Sequence, residues 1–275
     1  MFILGTEHIP TPNMLAHLSG AWALGCRSFD TALLYRNHET VFSTLRRYPR
    51  HSYEVTFKIP TAFQDRARVE DGVRSIIATN KLEYIDTLLV HSPKHVLHTE
   101  ALDAFQRLSA AGYIRKYGLS NYTLGHLKAL GAFGYQPQVV QNEINPFLQD
   151  VPFVNYCKAQ RIEVQAHSIF ATGKVFTDDA LLATAGPQSL TLALFGWLKK
   201  IAANPIVSTT QPTRLSNLWE TWHLASEADA LNNIESFERN TRQCRSPEWD
   251  EFDLLPQDAY QHVLRQLQKT GRCQP

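Results

Sequence analysis

Short apolar runs alternate with longer stretches of helical spacing from one end of the chain to the other. The runs that read as strands are Phe2–Gly5, Ser28–Asp30, Glu54–Lys58, Ile85–Val90, Tyr117–Leu119, Val139–Gln141, Glu163–Ala166 and Ile206–Val207. Between them, Leu15, Leu18, Trp22 and Leu24 fall on one predicted helix face, as do Val69, Val73, Ile76 and Ile77. Ala101, Leu102, Phe105 and Leu108 form a third stripe, and Leu190, Ala193, Leu194, Trp197 and Ile201 a fourth, with Ser189 as its expected N-cap. Strands separated by helices need crossover connections, so the pattern predicts a parallel sheet. Eight such repeats in 275 residues favour a closed (β/α)8 TIM barrel, usually about 250 residues long, over an open doubly wound sheet. An open nucleotide-binding sheet would carry G-x-G-x-x-G after its first strand, and that string is absent. No linker, repeat or low-complexity segment divides the chain, so residues 1–275 read as a single domain. The more polar tail from about Asn240 is expected to wrap the barrel, with Trp249, Phe252 and Leu255 as anchors.

Most of the predicted strands end in a polar residue that an apolar core would not choose. Asp30, Lys58, His91 and Gln141 close four of them, Ser120-Asn121, His167 and Ser208-Thr209-Thr210 three more. In a barrel these ends share the rim where such folds keep their chemistry. Lys58 lies between Val55-Thr56-Phe57 and Ile59-Pro60, where an ammonium is costly without a counter-ion, and Asp30 on the neighbouring strand is the candidate. Taken alone, that pair suits a structural role equally well. Tyr35, five residues beyond Asp30, reaches the same rim. A lysine beside a phenol is expected to lower its pKa from about 10 and make it a usable proton donor. His91, His95 and His98 have the spacing of metal ligands, but Pro93 keeps one helix face from carrying all three, so no metal is expected.

Composition narrows the picture further. Apolar residues make up 44% and charged residues 19%, as in a globular chain, and the net charge is only +1. That balance argues against nucleic acid or an anionic membrane as the main partner. The uncharged stretch Leu181 to Leu198 is broken by Gly186-Pro187 and is not expected to span a membrane. Met1 to Thr6 lacks the features of a signal peptide. Cys26, Cys157, Cys244 and Cys273 are scattered without a C-x-x-C pair, which fits a reducing compartment and a cytoplasmic protein.

Over nearly its whole length the sequence resembles the aldo-keto reductase family. Asp30-Thr-Ala-Leu-Leu-Tyr35 is similar to the family's Asp-Thr-Ala…Tyr segment. Val55-Thr-Phe-Lys58, Tyr84-Ile-Asp-Thr-Leu-Leu-Val-His91-Ser-Pro93, Ile114 to Tyr122, Gln138 to Pro146 and Pro212-Thr-Arg214 follow in matching order and spacing. The resemblance implies hydride transfer from NADPH, with NADH possible, to the carbonyl group of a small molecule, without a metal. Tyr35 would be the general acid, Lys58 the cation that tunes it, Asp30 the anchor of Lys58, and His91 the group that orients the carbonyl oxygen. Ser120, Asn121 and Gln141 would hold the nicotinamide carboxamide. Gly5, Thr6, His167, Ser168, Thr172, Ser208, Thr209 and Arg214 would complete the cofactor site, and a monomer is the family default.

Three departures stand out against that resemblance. The aromatic ring that usually stacks on the nicotinamide corresponds to His167, whose charge would depend on pH. The lysine usual at the 2′-phosphate corresponds to Ser208, while the arginine is retained as Arg214, so preference for the phosphorylated cofactor should weaken. The chain starts directly at its first strand, so the hairpin that closes the barrel floor is expected to be missing or rebuilt. The segment after His91 is short, which suggests an open mouth walled by Glu7, His8, Leu34, Lys94, Phe147 and Trp249. The changes at His167 and Ser208 keep two other readings open: a non-redox biosynthetic enzyme performing cyclisation, dehydration or isomerisation, and a cofactor-sensing binding subunit.

Overall fold

In the computed structural model, which describes residues 1–60, 65–93 and 99–244, the strands run parallel and close on themselves. They are β1 (Ile3–Gly5), β2 (Ser28–Ala32), β3 (Glu54–Ile59), β4 (Ile85–Val90), β5 (Ile114–Ser120), β6 (Val139–Glu143), β7 (Glu163–His167) and β8 (Ala203–Val207). Closure comes from β8 returning to β1 through the pairs Ile3↔Ile206 and Leu4↔Val207. The helices α1 (Met14–Leu24), α2 (His38–Leu45), α3 (Arg66–Thr79), α4 (Thr99–Ala110), α5 (Leu124–Ala132), α6 (Val151–Ala159), α7 (Asp179–Ala185) and α8 (Pro187–Lys200) fill the crossovers, and α9 (Pro212–Leu224) follows β8. The (β/α)8 barrel is therefore as the alternation of patterns predicts.

All eight strands are found, but most run further than their apolar cores. β2 and β6 are buried at every position, polar residues included, because helices cover one side and the barrel interior the other. β5 begins at Ile114, three residues before the predicted run, since Arg115 and Lys116 are exposed and carry no apolar signal. Gly118 in β5 is required by close approach: a Cβ there would sit 1.8 Å from the Val139 carbonyl oxygen of β6.

Two helix expectations are corrected. α1 buries Met14, Leu18 and Ala21, whereas Leu15 is 41% exposed. Both stripes have helical spacing, and the barrel wall selects the one that starts a residue earlier. Ser189 is not the cap of α8: the helix starts at Pro187 behind Gly186, which adopts φ 70°. Proline suits the first helical position, where no N–H partner is needed. α7 and α8 meet at an 87° bend, and no single helix among the described residues is long and apolar enough to cross a membrane.

Met1 and Phe2 precede β1. The Met1 ammonium donates to Asn204 of β8 at 2.7 Å, and the Phe2 ring packs on Phe195 of α8 and Trp219 of α9. Beyond α9 the chain returns over the opposite rim. The Arg239 and Thr241 N–H groups donate to the Phe147 carbonyl, and the Gln243 and Cys244 N–H groups donate to the Glu143 carboxylate at 2.7 and 2.9 Å. The proposed tail anchors Trp249, Phe252 and Leu255 lie outside the described residues.

Apolar packing lies between strands and helices, where Phe29, Phe42, Phe57, Phe105, Phe153 and Phe195 are fully enclosed. A second buried set is polar: Asp30, Thr56, Lys58, Gln141 and Gln165 are each 6% exposed or less. That set links four strands by side-chain hydrogen bonds and carries the site.

Candidate active site

Asp30 near the end of β2 and Lys58 near the end of β3 form the site's base. Lys58 Nζ donates to both carboxylate oxygens of Asp30 at 2.6 Å, with side chains 1% and 3% exposed. Asp30 thus takes two of the three ammonium protons and neutralises the buried charge. Tyr35 closes the single helical turn Leu33–Tyr35 that follows β2. Its ring centroid lies 4.9 Å from Lys58 Nζ and 5.7 Å from the His91 ring, which meets it edge-on at 80°. Four residues spread over 61 positions of sequence therefore meet at one point of the rim, as expected.

The electrostatics differ from the expectation. Burial, with added repulsion from the carboxylates of Asp30 and Glu7, pushes the Tyr35 phenol well above its usual pKa of 10.0. Burial thus outweighs any pull from the Lys58 ammonium, which lies 4.9 Å from the ring centroid. The phenol is accordingly a firmly protonated donor. Burial and the Lys58 charge lower His91 from 6.5 to about 3, so its imidazole is neutral at ordinary pH.

Beside this group lies a chain of amides and hydroxyls. Asn121 adopts φ 65°, a left-handed conformation that asparagine tolerates. Its Nδ2 donates to the His91 carbonyl at 3.0 Å and to Ser120 Oγ at 3.1 Å. Its Oδ1 consequently faces His167 Nε2, 3.0 Å away, and that nitrogen must carry the proton. His167 Nδ1 is then the acceptor for the Ser168 hydroxyl at 3.0 Å, and Cys244 Sγ lies 2.7 Å from the same oxygen. Burial, followed by the charges of Arg242 and Lys58, holds His167 well below its usual pKa. Its charge is therefore not the pH-dependent quantity expected from an exposed imidazole.

Gln141 reaches inward, with Nε2 donating to Asp30 Oδ2 at 2.8 Å and to Gln165 Oε1 at 3.1 Å. Other expected cofactor residues are placed variously. The Thr6 hydroxyl is buried and donates to the Asp30 carbonyl at 2.9 Å, so it pins β1 to β2. Gly5 is buried beside β8, where a Cβ would stand 2.9 Å from Ile206 Cγ2. Thr172 follows β7 in a left-handed bend, its hydroxyl on the Ala171 carbonyl. Ser208 is exposed after β8, Thr209 accepts from the Gln211 N–H at 3.1 Å, and Arg214 is exposed in the first turn of α9. Among the proposed walls, Glu7, His8 and Leu34 are exposed at the rim. Phe147 is not a wall: it is 1% exposed, with the Arg239 guanidinium 4.2 Å over its ring. Lys94, Trp249, His95 and His98 lie outside the described residues, and among the described residues no cluster of His, Cys, Asp and Glu could hold a metal.

Sequence reading missed Gln165, Glu143 and Cys244 as parts of this site. A signal for Gln165 existed: Glu163, Gln165 and His167 put polar residues on one face of a strand whose other face is Val164 and Ala166.

The set fits a nicotinamide dinucleotide. Gln141 Oε1 takes no protein hydrogen bond among the described residues and offers an acceptor to an amide. Arg214 is an exposed cation that pairs with no carboxylate among the described residues, at a helix start suited to a phosphate. Residues 2–237 match the description Aldo/keto reductase family. The chain belongs to the aldo/keto reductase family. As a member it is an NAD(P)H-dependent oxidoreductase acting on carbonyl groups. It is 26% identical over 262 residues to methylglyoxal reductase DkgB of Escherichia coli O157:H7, covering 90% of this chain and 98% of that protein. It is also 26% identical over 239 residues to an uncharacterized oxidoreductase, YtbE, of Bacillus subtilis, covering 84% and 85%. In fold, it superposes on an aldo-keto reductase of Bombyx mori in complex with NADP with TM-score 0.79 at 22% identity, over 91% of this chain and 92% of the other.

Proposed function

We propose that this aldo/keto reductase uses NADPH to reduce small aldehydes and ketones, with Tyr35 supplying the proton. The observation that carries the reading is the meeting of a protonated phenol, a neutral imidazole and a charge-compensated lysine at one point of the rim. When bound, the reduced nicotinamide supplies the hydride that adds to the carbonyl carbon. His91, neutral, orients the carbonyl oxygen through a ring N–H without competing for the proton. Tyr35 passes its O–H proton to that oxygen as negative charge develops there. The Lys58 ammonium, close to the ring, opposes the charge left on the phenol, and Asp30 holds it there.

Ser120, Asn121 and Gln141 hold the carboxamide, and His167 offers its face to the ring. Arg214 takes the 2′-phosphate, which favours NADPH, while the neutral Ser208 leaves NADH usable. The methylglyoxal reductases among the relatives support 2-oxoaldehydes as a substrate class to test first.

The test is a panel of carbonyl compounds, methylglyoxal included, with NADPH or NADH and absorbance followed at the reduced nicotinamide band. Tyr35→Phe is expected to lower turnover about 10²- to 10⁴-fold while leaving NADPH affinity within about twofold. Equal rates for the two proteins would remove Tyr35 as the acid. Cofactor binding without turnover of any carbonyl would favour a non-redox or sensing role.

A further inference from the structure

Two glutamines reach across the barrel interior. Gln141 of β6 and Gln165 of β7 are register partners, as are Asp30 of β2 and Thr56 of β3 on the opposite wall. Gln141 reaches Asp30, and Gln165 Nε2 reaches Thr56 Oγ1 at 3.2 Å. Both glutamines are 2% exposed or less, so their amides have only these partners to choose from.

The orientation of each amide follows from its partners. Glu163 accepts from Lys116 at 2.9 Å on one oxygen, and its other oxygen faces the Gln165 amide at 3.3 Å. A carboxylate can only accept, so Gln165 must present Nε2 to it. Gln165 Oε1 then faces Gln141 and can only be met by a donor. Asp30 Oδ2 makes the same demand from the other side. Both Nε2 hydrogens of Gln141 are therefore committed inward, to Asp30 and to Gln165. What remains is Gln141 Oε1, which can only accept.

Resting on the reading above, we propose that Gln165 is a positioning residue for the cofactor: it fixes the Gln141 amide so that Oε1 receives an N–H of the nicotinamide carboxamide. With Gln165 removed, one Nε2 hydrogen of Gln141 loses its partner and Asp30 alone is left to hold the amide, so Oε1 is less firmly aimed where the cofactor needs an acceptor. Gln165 touches neither cofactor nor substrate, so its effect passes wholly through Gln141.

The experiment compares two dinucleotides by isothermal calorimetry on the whole chain: NADP⁺ and its 3-acetylpyridine analogue, which replaces the carboxamide by a methyl ketone and has no N–H to give. The wild type is expected to prefer NADP⁺ about 3- to 10-fold, the range of one net hydrogen bond between neutral groups. Gln165→Met keeps volume without polar atoms and is expected to lower that ratio, since only Asp30 then holds the Gln141 amide. Gln165→Glu, protonated in this buried place beside Glu163, retains an acceptor for Gln141 and is expected to keep most of it. Gln141→Leu is expected to abolish the preference, and adding Gln165→Met to it to change nothing further. Thermal melting monitors folding, and should Gln165→Met fail to fold, Thr56→Val loosens Gln165 from its other side and is expected to lower the ratio partway. A wild-type ratio of one, an undiminished ratio in the folded Gln165→Met protein, or a further change in the Gln141→Leu background overturns the inference while the reductase reading stands. Failure of the wild type to bind either dinucleotide overturns both.

Discussion

Asn121 Oδ1 receives the Nε2–H of His167 at 3.0 Å, across 46 positions of sequence. The rest of the Asn121 amide is spent on the His91 carbonyl and Ser120, so one side chain joins the backbone of His91 to the ring of His167. The imidazole is thereby fixed in tautomer and plane.

This arrangement predicts an imidazole that does not titrate. Nitrogen-15 correlation spectra of the labelled protein should show His167 with a protonated Nε2 and a bare Nδ1, unchanged between pH 8 and pH 5, since burial holds its pKa well below 6.5. Asn121→Ala should release the ring and let both nitrogens average. A His167 signal titrating near pH 6.5 would contradict the placement of this residue.

His91 makes the fold sensitive to acid. Its pKa is depressed to about 3 in the folded chain and returns to about 6.5 on unfolding, so the unfolded state binds the extra proton as pH falls between those values. Stability is complete above pH 7 and declines through that window, by about 2 kcal/mol between pH 7 and pH 5 from this group. Urea unfolding across that range should show the decline, and His91→Gln should remove this share of it.

The Lys58–Asp30 pair is expected to be asymmetric in its variants. Lys58→Met leaves a buried carboxylate held only by Gln141 and should cost about 3–5 kcal/mol of stability. Adding Asp30→Asn removes the stranded charge and should recover most of that loss, without restoring carbonyl reduction. Denaturant midpoints of the two single variants and the double variant decide it; a double variant no more stable than Lys58→Met would show that charge is not the cause.

With Arg214 proposed as the partner of the 2′-phosphate, Arg214→Ala should weaken NADPH about 10-fold or more, the scale of a lost charge-assisted hydrogen bond, and leave NADH nearly unchanged. Direct binding of both dinucleotides reads this out. Equal losses would place the 2′-phosphate elsewhere.

Much of the site was legible because barrel topology sends the end of every strand to one rim. Once Asp30, Lys58, His91 and Gln141 were recognised as strand-end residues, their meeting followed without knowledge of any distance. The helix faces were less legible. In α1 the stripe through Leu15 and the stripe through Met14 are equally periodic, and only the neighbouring wall decides between them. Phe147 looked like a lining residue by its position and is instead covered by Arg239, which arrives from about ninety positions later in the chain.

Local periodicity and the residue types that end strands predict the barrel, its rim and the polar groups that gather on it, and the family resemblance adds the roles proposed for them. Only the tertiary structure decided their states. That Tyr35 is raised and not lowered, that His91 and His167 are neutral, and that Gln141 turns inward toward Asp30 and Gln165 all depend on burial and on partners distant in sequence. Ionisation and hydrogen-bond direction are set by everything within a few ångströms in space, and proximity of that kind is not written in the order of the residues.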